Sequence, residues 1–241
     1  MRIALVCVAK NEENYIQEWI DYHLKLGFDD IIIYQNDWEY VIDQPNVVTK
    51  QVNGKGIQTI IYNDCIKENI GVYDWLAFFD CDEFLVLKKH DNVKSFLQDY
   101  NEYNAIGINW VLFGDNNLHG VTNENYSVLE RFISRQSSVN PHIKTILKPS
   151  MMYKMSGPHH QNLTWVDTSF NINTGPHNER PIDNIAQLNH YFVKTKEEFI
   201  NKINRGRADN GGTRTIEDFE PHNANEIDDY NALNFFKKWL R

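Results

Sequence analysis

The chain has 241 residues, a formal net charge of −9 at pH 7 and three cysteines. This length suits one large α/β domain, and the negative charge argues against a nucleic-acid binder that works by neutralising phosphates. The sequence enters a strand-like run at once, no stretch is long enough for a membrane helix, and the cysteines lack disulfide or metal-ligand spacing. We therefore expect a cytoplasmic protein with a single domain over residues 1–241.

The first half of the chain alternates apolar runs with amphipathic segments. Strands are predicted at residues 3–8, 30–34, 47–52 and 74–79, and helices at 11–26 and at about 56–69. Asn11 is the predicted N-cap of the first helix, and Gly27 ends it. This alternation predicts a largely parallel sheet with helices on both faces, which binds ligands at the carboxyl ends of its strands.

The second half is less regular and rich in Asn, His, Gly and Pro. We predict helices at 92–100 and 195–205, with Thr195 and Glu198 in capping-box spacing, and strands at 105–112, 144–147 and 185–190. The tail, residues 235–241, is aromatic and basic. It suits either a contact with an anionic membrane surface or a packed terminal helix.

The most informative stretch is the apolar run at residues 75–79, which ends in Asp80, Asp82 and Glu83. In an extended segment Asp80 and Asp82 point the same way, so both can face one cation. Oxygen-rich sites of this kind suit Mg²⁺ or Mn²⁺, which can hold a substrate's phosphates. The alternative is a solvated acidic turn after a buried strand.

Two more polar clusters follow predicted strands at the same edge of the sheet. Lys10 and Glu12 follow the first strand, and Asn36 and Asp37 follow the second. Because the carboxyl ends of parallel strands share one edge, these side chains are candidates for ligand binding together with the acidic run, and residues 10–12 are candidates for contact with a nucleotide. Asn11 also has the simpler interpretation of a helix cap.

Three residues further along the chain are candidates for the same site. His190 can complete a metal site or be a structural histidine beside aromatics. Lys144 lies where a cation can meet a diphosphate, although a solvated lysine is the simpler interpretation. Asp115 ends an apolar strand and can serve as a general base for an acceptor hydroxyl, whereas Gly-Asp-Asn is also a good turn sequence. Three histidines in predicted loops can bind phosphate, sugar or metal, or can simply be surface residues: His159, His160 and His177.

Taken together, these stretches resemble GT-A glycosyltransferases of family 92 or family 2. The matching pieces are residues 10–13, 18–23 and Gly27, the W-x-x-F-x-D-x-D-E-F run at 75–84, W-x-x-F-G at 110–114, and an H-Y-x-x-K end at 190–206. In that end Thr195 replaces the usual serine. The resemblance implies a Rossmann-like, mostly parallel central sheet flanked by helices. Residues 1–115 would form the nucleotide-sugar-binding half, and 116–241 an irregular acceptor-side half with the tail.

The resemblance also implies a reaction. We expect a metal-dependent hexosyltransferase that moves a sugar from a nucleotide-sugar donor, expected to be UDP-linked, to a glycan or glycolipid hydroxyl with inversion. Asp80 would contact the ribose or the metal, Asp82 and His190 would bind Mn²⁺ or Mg²⁺, and Asp115 would be the base unless the enzyme retains configuration. The residues expected around the donor are Lys10, Glu12, Asn36, Asp37, Gln58, Asp80 and Lys144.

The resemblance further suggests surface-polysaccharide or lipopolysaccharide biosynthesis at the inner face of the membrane. The stretch 206–212, with Arg205 and Arg207, is a candidate loop that closes over the donor. A metal-dependent phosphohydrolase of the haloacid dehalogenase kind is an alternative, but its D-x-D usually follows the first strand and precedes Thr or Val. A catalytically silent sugar-binding module is the other alternative, against which the intact acids and His190 argue.

Overall fold

The computed structural model describes residues 1–121, 124–206 and 212–238. The loop prediction for 207–211, including Arg207, and the last three residues of the tail lie outside these ranges. Within them the strands are β1 Ile3–Ala9, β2 Asp30–Asn36, β3 Val47–Val52, β4 Trp75–Phe78, β5 Glu83–Leu87, β6 Ala105–Leu112, β7 Ser134–Arg135, β8 Ile143–Leu147, β9 Trp165–Val166, β10 Ile172–Asn173, β11 Ala186–His190 and β12 Ile227–Asp228. The helices are α1 Ile16–Lys25, α2 Gln58–Glu68, α3 Val93–Asp99, α4 Val128–Arg131, α5 Lys196–Arg205 and α6 Asn231–Lys237, with short 3₁₀ helices at Pro149–Met151, Ile216–Asp218 and Glu220–His222.

The central sheet runs in the order β10-β9-β6-β8-β4-β1-β2-β3, and β11 joins β5 to β6. The strands β1 to β4 pair in parallel, as predicted. Strand β8 runs antiparallel between β4 and β6, whereas β11 is parallel to β6 and antiparallel to β5. The predicted α/β fold with a mostly parallel central sheet is confirmed, and its parallel strands bring their carboxyl ends to one edge.

The sheet has a hydrophobic core on each face, because β1 buries both of its sides. Ile3 and Leu5 pack with residues of α1 and α3, whereas Ala4 and Val6 pack with residues of α2. This two-sided burial explains why β1 is an uninterrupted apolar run rather than an alternating one. The three cysteines are free thiols within these cores.

The predicted start of the first helix at Asn11 is wrong. Helix α1 begins at Ile16, and Asn11 has a left-handed backbone with φ of 50°. Arg205 explains the difference, since its guanidinium donates to the main-chain oxygens of Lys10 and Asn11 and forms an ion pair with Glu12. Tertiary contacts therefore hold this segment in a turn that the local sequence does not reveal.

Strand β5 was not predicted, and side chains of α1 satisfy one of its edges. The Trp19 indole donates to the Glu83 carbonyl oxygen (2.8 Å), the Tyr22 hydroxyl donates to the Leu85 carbonyl oxygen (2.8 Å), and the Leu85 amide donates to Nε2 of His23 (3.3 Å). A polar group buried without a partner is costly, so these side chains replace a neighbouring strand. They fix the segment that carries the acidic run.

Two predicted helix boundaries are confirmed, the end of α1 at Gly27 and the start of α5 at Thr195. Gly27 follows α1 with φ of 103°, a conformation in which a side chain would be strained. Thr195 and Glu198 form a reciprocal capping box at the start of α5. The C-terminal boundary of α1 and the N-terminal boundary of α5 thus follow from local sequence.

The described part of the aromatic tail is a packed helix, α6. The rings of Phe235 and Phe236 lie 5.2 and 6.2 Å from that of Tyr22, and the Lys25 ammonium lies 4.9 Å from the Phe236 ring. These rings therefore contact the core, and membrane contact by the tail stays a prediction. Among the residues that the structure describes, no helix has the length and apolar character needed to cross a bilayer.

Candidate active site

A cleft of about 320 Å³ lies at the carboxyl ends of β1, β4, β6 and β11. This is the edge at which ligands bind parallel α/β sheets. Six of the residues predicted for the site line it: Lys10, Glu12, Gln58, Asp80, Asp82 and His190. The tertiary structure thus brings the first-strand cluster, the acidic run and a distant histidine into one space.

Asp80 is held from three directions. Its carboxylate accepts hydrogen bonds from Gln58 Nε2 (2.8 Å) and Lys144 Nζ (2.7 Å), and its amide donates to Glu83 Oε2 (2.8 Å). Burial opposes ionisation of this carboxyl, but the Lys144 ammonium outweighs burial and lowers the pKa of Asp80. Gln58 and Lys144 therefore act here as hydrogen-bond donors to the Asp80 carboxylate, and these bonds fix its orientation.

Lys144 and Glu83 form a fully buried pair beneath the cleft. Neither side chain is exposed, and Lys144 Nζ lies 3.6 Å from Glu83 Oε1. Burial raises the pKa of Glu83 well above its usual range, although Lys144 opposes that shift. For Lys144 burial favours the neutral amine, but Asp80 and Glu83 outweigh it and raise the pKa, so the ammonium stays charged.

Asp82 faces a lysine and a histidine from the second half of the chain. Its Oδ2 lies 2.5 Å from Lys202 Nζ, and its Oδ1 lies 3.6 Å from His190 Nε2. Burial favours the protonated form, but Lys202 and His190 outweigh it and lower the pKa of Asp82 well below its usual range. Burial lowers the pKa of Lys202 to about 7, although the Asp82 carboxylate 2.5 Å away favours its charged ammonium. His190 Nδ1 is buried, with no hydrogen-bond partner in the described part of the chain.

The Asp82 carboxylate is a ligand type that Mn²⁺ and Mg²⁺ accept, whereas the His190 imidazole suits Mn²⁺ better than the harder Mg²⁺. The 3.6 Å between Asp82 Oδ1 and His190 Nε2 suits two ligands of one ion. Within residues 1–121, 124–206 and 212–238, no three His, Cys, Asp or Glu side chains are grouped to hold an ion by themselves. Ions of the Mg²⁺ type are usually held by one or two carboxylates together with water and substrate phosphates. The residues present fit an ion of that kind.

Arg205 links the far end of α5 to the first strand's polar cluster. Its guanidinium lies 2.5 Å from Glu12 Oε1 and donates to the Lys10 carbonyl oxygen (3.0 Å). Burial would lower the pKa of Arg205, but Glu12 outweighs it and raises the pKa. Glu12 Oε2 is buried without a hydrogen-bond partner among the described residues, so it can accept one from a ligand.

The predicted nucleotide residues of the second strand lie beside the cleft. Asn36 lines an adjoining pocket of about 170 Å³, to which Lys10 and Arg205 also contribute. Asn36 donates to the Gly54 carbonyl oxygen (3.0 Å), and Asp37 lies 3.3 Å from the Lys10 ammonium. The two spaces share basic side chains, which suits one elongated anionic ligand across both.

An indole with three imidazoles forms one wall of the cleft. The Trp110 ring is stacked on His142 at 5.2 Å, meets His159 edge-on at 5.0 Å and lies 4.3 Å from His190. Burial lowers the pKa of His159 to about 3, so its ring is neutral near pH 7. Trp110 Nε1 is a buried donor that lacks an acceptor among the residues described.

Asp115 is not brought to the other predicted residues. Its Oδ1 accepts from the Asn117 amide (2.8 Å) and from Asn225 Nδ2 (2.9 Å), and its amide donates to Asn223 Oδ1 (2.8 Å). These are the contacts of a turn, and Asp115 is absent from the described lining of the cleft. Its role as a base stays a prediction, and Asp218 is an acid that does line the cleft.

Lys202 and His142 were not identified as site residues from the sequence. Lys202 belongs to the 190–206 stretch of the resemblance and lies one turn before Arg205 on a capped helix, so a helical projection pairs the two cations. His142 carries no local signal. It reaches the cleft because it precedes β8, which pairs with β6.

Residues 37–224 match the family model described as glycosyltransferase family 92, which is more than half of the chain. A family 92 glycosyltransferase protein of Arabidopsis thaliana is 22% identical over 217 residues, 81% of this chain and 36% of that protein. One of Ricinus communis is 23% identical over 218 residues, 84% of this chain and 37% of that protein. The chain thus spans about a third of the length of the curated relatives it matches.

Solved structures to which part of the chain is similar include two 2-C-methyl-D-erythritol 4-phosphate cytidylyltransferases. The enzyme of Francisella tularensis is 12% identical, with a TM-score of 0.33, and the match covers 62% of this chain and 74% of that one. The enzyme of Thermus thermophilus is 10% identical, with a TM-score of 0.34 and coverage of 61% and 70%. Likeness at this level carries no conclusion about activity.

Proposed function

The chain belongs to glycosyltransferase family 92, and from that premise we propose that it moves a sugar from a nucleotide-sugar donor to a hydroxyl of a glycan or glycolipid. One observation carries the proposal: Asp82 and His190, far apart in sequence, meet at 3.6 Å in a cleft that basic side chains line. A nucleoside diphosphate brings the negative charge that those side chains can neutralise.

The basic side chains have a direct role in bond breaking. As the sugar–phosphate bond breaks, negative charge grows on the leaving diphosphate. Lys202 and Arg205 line the cleft from α5, and Lys10 reaches it from the end of β1. Arg205 and Lys10 are fixed by Glu12 and Asp37, and cations held in place before the reaction stabilise that growing charge without reorganising.

Asp82 and His190 are the proposed protein ligands of Mn²⁺ or Mg²⁺, and Asp80 would contact the donor's ribose or the same ion. When bound, such an ion would add charge stabilisation at the diphosphate. Lys144 and Gln58 orient the Asp80 carboxylate through their hydrogen bonds. Their proposed part in donor binding is therefore indirect, through Asp80.

The sugar part of the donor is proposed to lie against the wall that Trp110 forms with His142 and His159. An indole face suits the apolar C–H face of a sugar ring, and the unpartnered Nε1 offers a hydrogen bond to a hydroxyl. In an inverting reaction a base takes the proton of the acceptor hydroxyl. Asp115 is carried forward as the proposed base, to be tested against Asp218, which lines the cleft.

Finer parts of the proposal rest on the family resemblance and on composition. They are UDP as the donor's nucleotide, inversion at the anomeric carbon, and a place in surface-polysaccharide or lipopolysaccharide biosynthesis. A cytoplasmic location, with membrane contact through the tail, belongs to the same proposal. Each can fail without affecting the proposed transfer of a sugar from a nucleotide-linked donor.

Calorimetric titration of UDP, with and without Mn²⁺, tests the proposed site. We expect binding that Mn²⁺ strengthens and that Asp82→Ala abolishes, whereas Asp64→Ala, an exposed acid on α2, serves as the matched control and binds like the wild type. No binding of UDP, GDP, CMP or dTDP under any metal condition would contradict the nucleotide-sugar assignment.

Product analysis separates the competing functions. Slow hydrolysis of a UDP-sugar to UDP and free sugar is a side reaction expected of a transferase without its acceptor. A sugar-binding module would bind the donor and leave it intact. A phosphohydrolase would instead release inorganic phosphate from phosphomonoesters, and that activity would disappear in Asp80→Asn.

A further inference from the structure

The Lys202 ammonium is bound to the carboxylate of Asp82, which is also a proposed ligand of the metal ion. Nζ lies 2.5 Å from Asp82 Oδ2, donates to the Phe192 carbonyl oxygen (2.9 Å) and lies 4.3 Å from the centre of the Phe192 ring. Lys202 is only 8% exposed. The carboxylate, the carbonyl and the ring together hold the charge in one place.

Helix α5 anchors the backbone of Lys202 but leaves its head group able to move. Arg131 binds Glu198 in the first turn, and Arg205 binds Glu12 at the last residue of the helix. Between these anchors the flexible four-carbon stem of Lys202 lets the ammonium shift by a few ångströms. A move of the ammonium from Asp82 into the cleft therefore requires no change in the helix.

Two cations cannot share Asp82 without further negative charge. A divalent ion between Asp82 Oδ1 and His190 Nε2 would lie within a few ångströms of the Lys202 ammonium, and repulsion is strong between charges that are as buried as these side chains. Asp82 supplies a single negative charge against three positive ones. A nucleoside diphosphate supplies the missing charge, so ion and nucleotide are expected to enter together.

We propose that Lys202 is a positioning residue that holds Asp82 in the free protein, keeps a divalent ion out until a nucleoside diphosphate arrives, and then turns towards that diphosphate. The inference rests on the proposed function, because it assumes a diphosphate ligand in the cleft. It assigns an order to the two ligands: the ion binds weakly alone and tightly with the nucleotide. By thermodynamic linkage the nucleotide must gain the same factor from the ion.

Binding of Mn²⁺ tests the inference without any turnover, and it can be measured from the electron paramagnetic resonance signal of the free ion. The proteins are the wild type, Lys202→Met, Lys202→Arg and, as matched control, Lys196→Met, which changes an exposed lysine on the same helix. Without nucleotide, Lys202→Met is expected to bind Mn²⁺ about tenfold more tightly than the wild type, within the usual range of coupled binding. Lys202→Arg and Lys196→Met keep the weak affinity.

Addition of UDP completes the test. UDP is expected to strengthen Mn²⁺ binding to the wild type by about tenfold or more, and to strengthen it less in Lys202→Met. Equal Mn²⁺ affinity of wild type and folded Lys202→Met, or no effect of UDP on the wild type, would overturn the inference. If Lys202→Met does not fold, the Mn²⁺ affinity of Lys202→Gln takes its place in the comparison. The effect of UDP on Mn²⁺ binding to the wild type then tests the inference together with it.

The same titrations keep the inference and the proposed function apart. UDP that binds the wild type equally well with and without Mn²⁺ overturns the competition between Lys202 and the ion but leaves nucleotide binding intact. Absence of UDP binding under every condition overturns both. A merely structural Lys202 would weaken Mn²⁺ and UDP binding together when it is replaced by methionine, which is the opposite of the expected result.

Discussion

Arg131 binds Glu198 through two parallel hydrogen bonds, with Nη1 2.9 Å from Oε2 and Nη2 2.7 Å from Oε1. Glu198 also accepts from the Tyr15 hydroxyl (2.8 Å) and closes the capping box with Thr195. One glutamate in the first turn of α5 thus ties that helix to α4 and to the segment before α1. The helix that carries Lys202 into the cleft is therefore fixed at its start by a buried ion pair.

Replacing Arg131 by methionine tests the energetic value of this pair. The substitution leaves Glu198 buried without its partner, and breaking a buried ion pair in this way costs about 3 to 5 kcal/mol. We expect the free energy of unfolding, measured by urea denaturation, to fall by about that amount. Lys196→Met, an exposed control two residues before Glu198, is expected to stay within about 0.5 kcal/mol of the wild type. A loss below about 1 kcal/mol for Arg131→Met would contradict the prediction.

Acid sensitivity is expected from His23, which is buried between Trp19 and Leu85 with a ring nitrogen facing each backbone. Burial lowers the pKa of His23 to about 3, whereas the unfolded ring takes up a proton near pH 6.5. Its contribution to stability is therefore complete above pH 6.5 and is lost as the pH falls towards 3. From this group alone the folding equilibrium should change about tenfold per pH unit in that window, as urea denaturation at several pH values can measure.

His23→Gln provides the control for this prediction. Glutamine lowers stability at pH 7, because it cannot reproduce both backbone contacts, but it does not titrate. The difference in unfolding free energy between wild type and variant should therefore narrow between pH 6.5 and pH 5. A difference that is constant across this range would show that His23 does not cause the acid sensitivity.

Lys144 is expected to contribute to stability as well as to the site. Lys144→Met leaves the partly exposed Asp80 carboxylate without the ammonium 2.7 Å away, at a cost of about 1 to 3 kcal/mol. Urea denaturation measures that loss. The double variant Lys144→Met/Asp80→Asn removes the carboxylate that has lost its partner and should regain part of that stability. If the double variant is less stable than Lys144→Met, the prediction is wrong.

Trp110 is predicted to select the sugar and not the nucleotide. Trp110→Phe keeps an aromatic face but loses the unpartnered Nε1 donor, so we expect kcat/KM for the donor to fall about tenfold while UDP affinity is unchanged. Trp110→Leu removes the stacking face too and should lower kcat/KM further. Equal loss of UDP and UDP-sugar affinity would indicate a general disturbance of the cleft.

Asp115→Asn and Asp218→Asn separate the two candidates for the base. If Asp115 is the base, its amide variant folds, binds the donor normally and transfers sugar at least about a hundredfold more slowly. If Asp115 only orders its turn, the loss appears in the free energy of unfolding, and transfer by the folded variant stays near normal. Asp218→Asn, measured in the same assay, shows whether the acid that lines the cleft takes the proton.

Much of the fold was predictable because its causes are local. The uninterrupted apolar runs fixed β1, β2 and β4 to within two residues, and the capping box fixed the start of α5. The acidic run after a buried strand indicated the edge at which the cleft lies. Parallel pairing followed from alternation of strands and helices, since adjacent parallel strands need a crossover.

The errors arose where distant residues override local preference. Asn11 has the chemistry of an N-cap, but Arg205 binds its carbonyl oxygen from the other end of the chain and holds a turn there. Strand β5 is short, and the buried edge that no described strand pairs with is satisfied by the Trp19 and Tyr22 side chains, which strand-pairing patterns in the sequence do not reveal.

The sequence by itself determined the strands, the caps and the chemistry of the acidic run, since hydrophobic periodicity and capping act between residues a few positions apart. Only the tertiary structure decided which charges meet: Lys144 with Asp80, Lys202 with Asp82, and Arg205 with Glu12. Charge interactions depend on distance through space and on burial. Those distances follow from the place of β8 between β4 and β6 and from how α5 lies at the end of the sheet, which no local pattern encodes.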